Sequence, residues 1–289
     1  MTDLTPLASR TTKRHCSNSS NNNSSNNNSS NNHSSGDNRS GSKALYALMR
    51  GIIIVFAILI TWQGLIVAFD LPSFILPTPL SVLDRLLLRH DVLMRHSWVT
   101  AQEIIFGLLL GLSMGLFFAL QMLLFKPIKR WLLPILIASQ AIPVFAIAPV
   151  LMLWLDYGIA SKVVMAAIII FFPVTTCCYD GLNNTPKGFL DLAHTLQASR
   201  WQQLIHIQLP AALPALASGI RVAVVIAPIG AVAGEWVGSS AGLGYLMLQA
   251  NARMMIDDMF AALFILSLLS VVLYFITDFA LKKLIPWEH

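Results

Sequence analysis

Long apolar runs dominate this chain and restrict its fold more than any other feature. A helix rises 1.5 Å per residue, so about 20 largely apolar residues cross the roughly 30 Å of hydrocarbon in a bilayer. Six runs reach that length, near 44–69, 100–124, 131–155, 159–179, 211–237 and 259–284. Inside lipid every backbone amide must find a partner within the protein, which leaves helices or closed barrels. Unbroken runs of this length read as helices. Only 11% of the 289 residues are charged, against about 25% in an ordinary soluble domain. The expected fold is all-α, a polytopic membrane helix bundle of about six transmembrane helices.

Lysine and arginine in the short loops set the orientation. With the N-terminus inside, the cytoplasmic segments hold Arg39, Lys43 and Arg50, then Lys126, Lys129 and Arg130, then Lys187 and Arg200, then Lys282 and Lys283. The opposite side holds Arg85, Arg89 and Arg95, offset by Asp84 and Asp91, and then Lys162 and Arg253 near Asp257 and Asp258. Both termini are therefore expected in the cytoplasm. Residues 1–43 contain no apolar stretch, so no cleavable leader is expected, and the Asn/Ser tract within them has too little apolar side chain to offset the entropy of ordering. They read as a disordered cytoplasmic tail, followed by a first transmembrane helix over 44–70. The segment 71–96 reads as an outer interfacial stretch. It opens on the proline-stiffened Leu71-Pro72-Ser73-Phe74-Ile75-Leu76-Pro77-Thr78-Pro79, and Val82, Leu83, Leu86 and Leu87 then recur at helical spacing.

Between the fourth and fifth runs lies a polar island, 186–209. Thr185-Pro186 has the form of a helix start, with Thr as N-cap and Pro at the first helical position. Phe189, Leu192, Ala193 and Leu196 fall on one face, with Asp191, His194 and Thr195 off it. Ser199 and Gln202 have capping-box spacing, Trp201, Leu204 and Ile205 make a second stripe, and Leu209-Pro210 is expected to end it. Two short helices thus meet near 197–199. Either their apolar sides lie on the membrane surface, or the turn between them protrudes and docks into a partner.

Other chemistries find little support. The nearest approach to a phosphate loop, Gly36 to Lys43, ends Gly-Ser-Lys, follows no strand and lies in the tail. Cys177-Cys178 has no metal-ligand or redox spacing and reads as packing. No catalytic set, metal site, cofactor or nucleic-acid partner is expected. Within the spans, Gly107, Gly111 and Gly115 recur every fourth residue, which lets helices approach closely; packing within the subunit is favoured over a dimer seam. Gln140 beside Pro143 lies in a proline-rich run, where freed carbonyls favour a cavity, although Gln140 also suits a bond to a neighbouring helix. Glu235 is costly in lipid. It either snorkels to the outer interface or faces a cavity beside Trp236. Gly238 to Gly244 reads as a flexible outer turn, with Asn251 beyond it, and no cluster of same-sign charge lines the spans.

The order Asp191-Leu192-Ala193, three residues, Gln197, nine residues, Ile207-Gln208-Leu209-Pro210 resembles the EAA signature of binding-protein-dependent ABC importer permeases. That signature is Glu-Ala-Ala, three residues, Gly, nine residues, Ile-x-Leu-Pro. Here Asp191 stands for the Glu, Leu192 for the first Ala and Gln197 for the Gly. A non-glycine residue at that turn accepts a positive φ at about 1–2 kcal/mol, or the turn differs. The likeness extends over 71–284, including Ile142-Pro143, Ala148-Pro149 and Gly242-Leu243-Gly244. It implies a type I ABC importer permease fold, with a permease core over 97–284 and coupling helices at 186–209. Docking on a separate ATPase would use Asp191, Leu192, Ala193, Thr195, Gln197, Ser199, Ile207, Leu209 and Pro210. The resemblance further implies a periplasmic solute-binding protein, a second permease subunit forming a homodimer, and a bacterial inner-membrane location. From the residues themselves, Gln140, Pro143, Glu235, Trp236 and Asn251 are the candidates for the substrate pathway. The runs Gly234 to Met247 and Cys178 to Leu182 are similar to permeases for the hydroxymethylpyrimidine precursor of thiamine. Nitrate, sulfonate, taurine and riboflavin permeases lie near, and the rival class is an ATP-independent secondary transporter.

Overall fold

The computed structural model describes residues 38–285; the tail expected over 1–43 lies outside them up to residue 37. The chain divides into two units, Met1–Phe56 and Ala57–His289. Among the described residues the first unit holds only the beginning of helix α1 (Asn38–Ala68). That helix starts ahead of the apolar run, so the tail's last residues are helical here.

In the second unit the helices run α2 (Pro79–Leu88), α3 (His90–Leu124), α4 (Lys126–Ala141), α5 (Val144–Leu155), α6 (Ile159–Asn183), α7 (Lys187–Thr195), α8 (Arg200–Gln203), α9 (Leu209–Gly238), α10 (Leu243–Ala252) and α11 (Ile256–Leu284). A π-helical turn, Leu204–Gln208, joins α8 to α9. No strand occurs among the described residues. Among the described residues, five helices are long and apolar enough to span a bilayer, or six if α4 and α5 together count as one. Those two are bent by 102° at their break, so the third expected run is a broken span. Pro143 causes it: proline has no N–H to donate and pushes the preceding residue to extended backbone. Ile142 accordingly sits at φ −82° and ψ 122°.

The centre of the bundle is α6, held between α3 and α9. Lipid tails are as apolar as leucine, so helices in a bilayer are held by close van der Waals packing, for which small residues are the means. A methyl group added at Gly107 would stand 2.6 Å from Ala166 Cβ, at Gly111 2.9 Å from Ile170, and at Gly115 2.6 Å from Val174. The whole stripe on α3 therefore faces α6. From the other side, Gly230 of α9 meets Ala166 and Gly219 meets Cys177, each too close for a side chain. Cys177 and Cys178 are unbridged and belong to this packing.

Thr78 caps α2 by accepting from Ser81 N at 3.2 Å. Val82 and Leu86 turn inward to join Leu93, Leu243, Leu246 and Ala261, while Leu83 and Leu87 stay exposed. The amphipathic stripe of α2 thus divides between protein and surroundings. Arg89 fixes α2 to α11 through Asp258 at 3.0 Å, and Ser81 donates to Asp257 at 3.0 Å.

Candidate functional site

The polar island folds as a helical elbow, with two departures from its sequence pattern. Thr185 does not cap α7. Its hydroxyl donates back to Leu182 O at 3.0 Å, and Pro186 occupies the cap position with no side-chain hydrogen bond. The second departure concerns Leu209-Pro210, which does not end the segment. Helix continues from Arg200 to Gly238 over 39 residues. The π-helical turn explains how: Leu209 N donates to Leu204 O, five residues back. The wider turn absorbs a proline whose ring would otherwise meet the carbonyl four residues before it.

The other local features follow the sequence. Ser199 and Gln202 form the capping box, Ser199 N donating to Gln202 Oε1 at 2.8 Å and Gln202 N to Ser199 Oγ at 3.3 Å. At the end of α7, Ala198 N donates to Ala193 O and Gln197 N to His194 O, both at 3.0 Å. This is a Schellman closure, which puts its penultimate residue in left-handed backbone. Gln197 takes that place at φ 57°, so the turn keeps its geometry and bears the strain. Gln203, 8% exposed, ties the two arms together by donating to Ala198 O at 2.9 Å. Thr195 donates to Asp191 O at 2.9 Å.

The elbow leaves its apolar side bare. Phe189, Leu192, Leu196, Trp201 and Ile205 are all more than half exposed. A groove of about 400 Å³ runs between the arms, lined by Phe189, Leu192, Leu196, Ala198, His206 and Ile207 among others. Ala193 is buried beneath. The exposed ridge and groove lie on one face of the elbow, and its turn is closed by the Ser199 capping box.

The pathway candidates fall into two groups. Gln140 and Pro143 are exposed at the α4–α5 break, and Trp236 comes to this region through Phe145, their rings 6.2 Å apart. Asn251 is exposed at the end of α10, away from them. Glu235 joins neither group. At 1% exposure it neither snorkels nor faces open space. It accepts from Thr100 Oγ1 at 2.6 Å, from Gly244 N, and from Tyr245 N at 3.2 Å. Leu243 N donates to Thr100 Oγ1 at 2.8 Å and Gly242 N to His96 Nδ1 at 3.0 Å. All four free amides at the start of α10 are thus held by side chains of α3 and α9. Gly242, at φ 113°, and Gly244 are required here, because a Cβ on either would run into the Glu235 carboxylate. The outer turn is a clamped one.

Several partners in this cluster gave no signal as a set. Glu103 lies carboxyl to carboxyl with Glu235 and in the field of Lys162. Lys162, 4% exposed, donates to Tyr157 O at 2.9 Å. Farther along α9, Arg221 meets Asp278 of α11 at 2.9 Å, and Lys282 meets the same carboxylate at 2.7 Å. Each is an ionisable residue in an apolar run, which is the only hint sequence offers; the pairings join residues far apart in the chain.

A family model described as the binding-protein-dependent transport system inner membrane component matches residues 107–287. A protein of Haemophilus influenzae described as a probable ABC transporter permease is 53% identical over 82% of this chain and 97% of its own length. The formylaminopyrimidine transport permease ThiX of Halalkalibacterium halodurans is 36% identical over 74% of this chain and 86% of its own. Among solved structures, the methionine ABC transporter MetNI in an inward-facing conformation shares the fold, with a TM-score of 0.58 at 18% identity over 68% of this chain and 97% of that one. The chain is a multi-pass membrane protein of the binding-protein-dependent transport family, an ABC importer permease subunit.

Proposed function

We propose that this permease works in a bacterial inner membrane as a homodimer, with both termini cytoplasmic. Two separate ATPase subunits dock on the 186–209 elbows, and a periplasmic binding protein delivers solute. The observation that carries the reading is the bare apolar ridge of Phe189, Leu192, Leu196 and Trp201 on an elbow whose turn is closed by backbone bonds and by the Ser199 capping box. Removing such a ridge from water is favourable by about 25 cal/mol per Å² of apolar surface, from which the entropy cost of association is subtracted. ATP-driven closure of the partners then pushes the elbow and rocks the bundle between outward- and inward-open states.

The cargo we infer is the hydroxymethylpyrimidine precursor of thiamine or a close pyrimidine. The relative named for formylaminopyrimidine transport and the Gly234 to Met247 run support this choice. Candidate pathway contacts are Gln140, Pro143 and Trp236 around the break, with Asn251 a more distant one; Glu235, buried and bound to α10, is set aside.

Changing Asp191 and Thr195 to lysine and arginine is expected to leave membrane insertion intact and abolish copurification of the ATPase. Normal ATP-dependent uptake by that variant refutes the docking role. Competition for uptake among a pyrimidine, taurine, nitrate and riboflavin, in vesicles holding the assembled complex, decides the cargo.

A further inference from the structure

From the outer clamp we infer that Glu235 is a positioning residue that transmits movement of the cytoplasmic elbow to the outer turn. The proposal rests on the docking role given to the elbow above. The elbow's second arm is continuous with α9, so one helix runs from Arg200 to Gly238, about 58 Å at 1.5 Å per residue. Glu235 stands one turn from its outer end. There its carboxylate holds Gly244 N and Tyr245 N of α10 directly and Leu243 N through Thr100. With water excluded, an amide released from this grip would be left without an acceptor, so these bonds resist breaking. Displacement of α9 therefore carries the start of α10 with it. His96 completes the grip from α3 by accepting from Gly242 N and stacking on Tyr245, ring centres 6.1 Å apart. Glycine at 242 and 244 lets the carboxylate approach this closely. On this assignment, the Gly-Leu-Gly run is the far end of the drive.

Glu235→Gln keeps the shape of the side chain but cannot accept with both of its terminal atoms. In the reconstituted complex with ATPase and binding protein, it is expected to assemble normally yet move about tenfold less hydroxymethylpyrimidine per ATP hydrolysed, as leaving a buried amide without its acceptor implies. A defect of folding alone lowers the amount of complex and leaves that ratio unchanged. An unchanged ratio overturns the proposal. Thr100→Val removes one arm of the clamp and is expected to lower the ratio less; if Glu235→Gln does not insert, this variant decides in its place. A measurement on the unaltered complex needs no variant: amide hydrogens of Gly242 to Tyr245 are expected to exchange slowly in both nucleotide-free and ATP-trapped states. Fast exchange in either state refutes the clamp. Failure of the unaltered complex to pump would sink the docking reading itself, whereas normal pumping by both variants sinks only the role of Glu235.

Discussion

Gln197 shows how a single position keeps a turn at an energetic cost. Its φ of 57° places a side chain where glycine is at ease, at about 1–2 kcal/mol. Gln197→Gly is expected to raise the stability of the detergent-solubilised protein by about 1 kcal/mol, less the entropy glycine adds to the unfolded chain; thermal unfolding followed by circular dichroism checks it. Gly242 is the opposite case. Alanine there meets both the unfavourable φ of 113° and the Glu235 carboxylate, so Gly242→Ala is expected to cost more than about 2 kcal/mol. A wild-type melting temperature would refute the described geometry.

For whole elements, sequence proved legible where one local rule governed and opaque where two met. Apolar length located the spans, and the capping-box spacing located the start of α8. In the third run length and proline content met: the run has the length of a span, and Pro143 divides it into α4 and α5. Leu209-Pro210 misled, since a π-helical turn let helix pass through a proline. Side-chain pairings across spans, Glu235 with Thr100 and Arg221 with Asp278, left no mark in sequence because no periodicity connects them. The α3–α6 contact supplies the prediction at this scale. Gly111→Leu forces a side chain into Ile170 and is expected to destabilise by about 1–3 kcal/mol through overpacking, read as a lower midpoint in thermal aggregation. Ser199→Ala removes one half of the capping box and is expected to cost about 1 kcal/mol, detected as faster amide exchange over 200–203.

At the scale of the whole molecule, the core and the proposed docking ridge occupy different surfaces. The packing that holds the subunit together lies along α3, α6 and α9, whereas the elbow's ridge is exposed in the isolated chain. Leu192→Ser combined with Leu196→Ser is therefore expected to shift the permease's own stability by no more than about 0.5 kcal/mol while eliminating capture of the ATPase. Parallel melting curves and pull-downs check the two halves of that statement. If both fell together, the ridge would belong to the subunit's core.

The kink at Ile142–Pro143 has a consequence of its own. A span interrupted there bares peptide carbonyls that its own coil no longer satisfies, and hydrocarbon offers them nothing. Gln140, Ala141, Ile142 and Pro143 all stand exposed at that break in the isolated chain, so whatever covers it in the bilayer has to bring hydrogen-bond donors of its own.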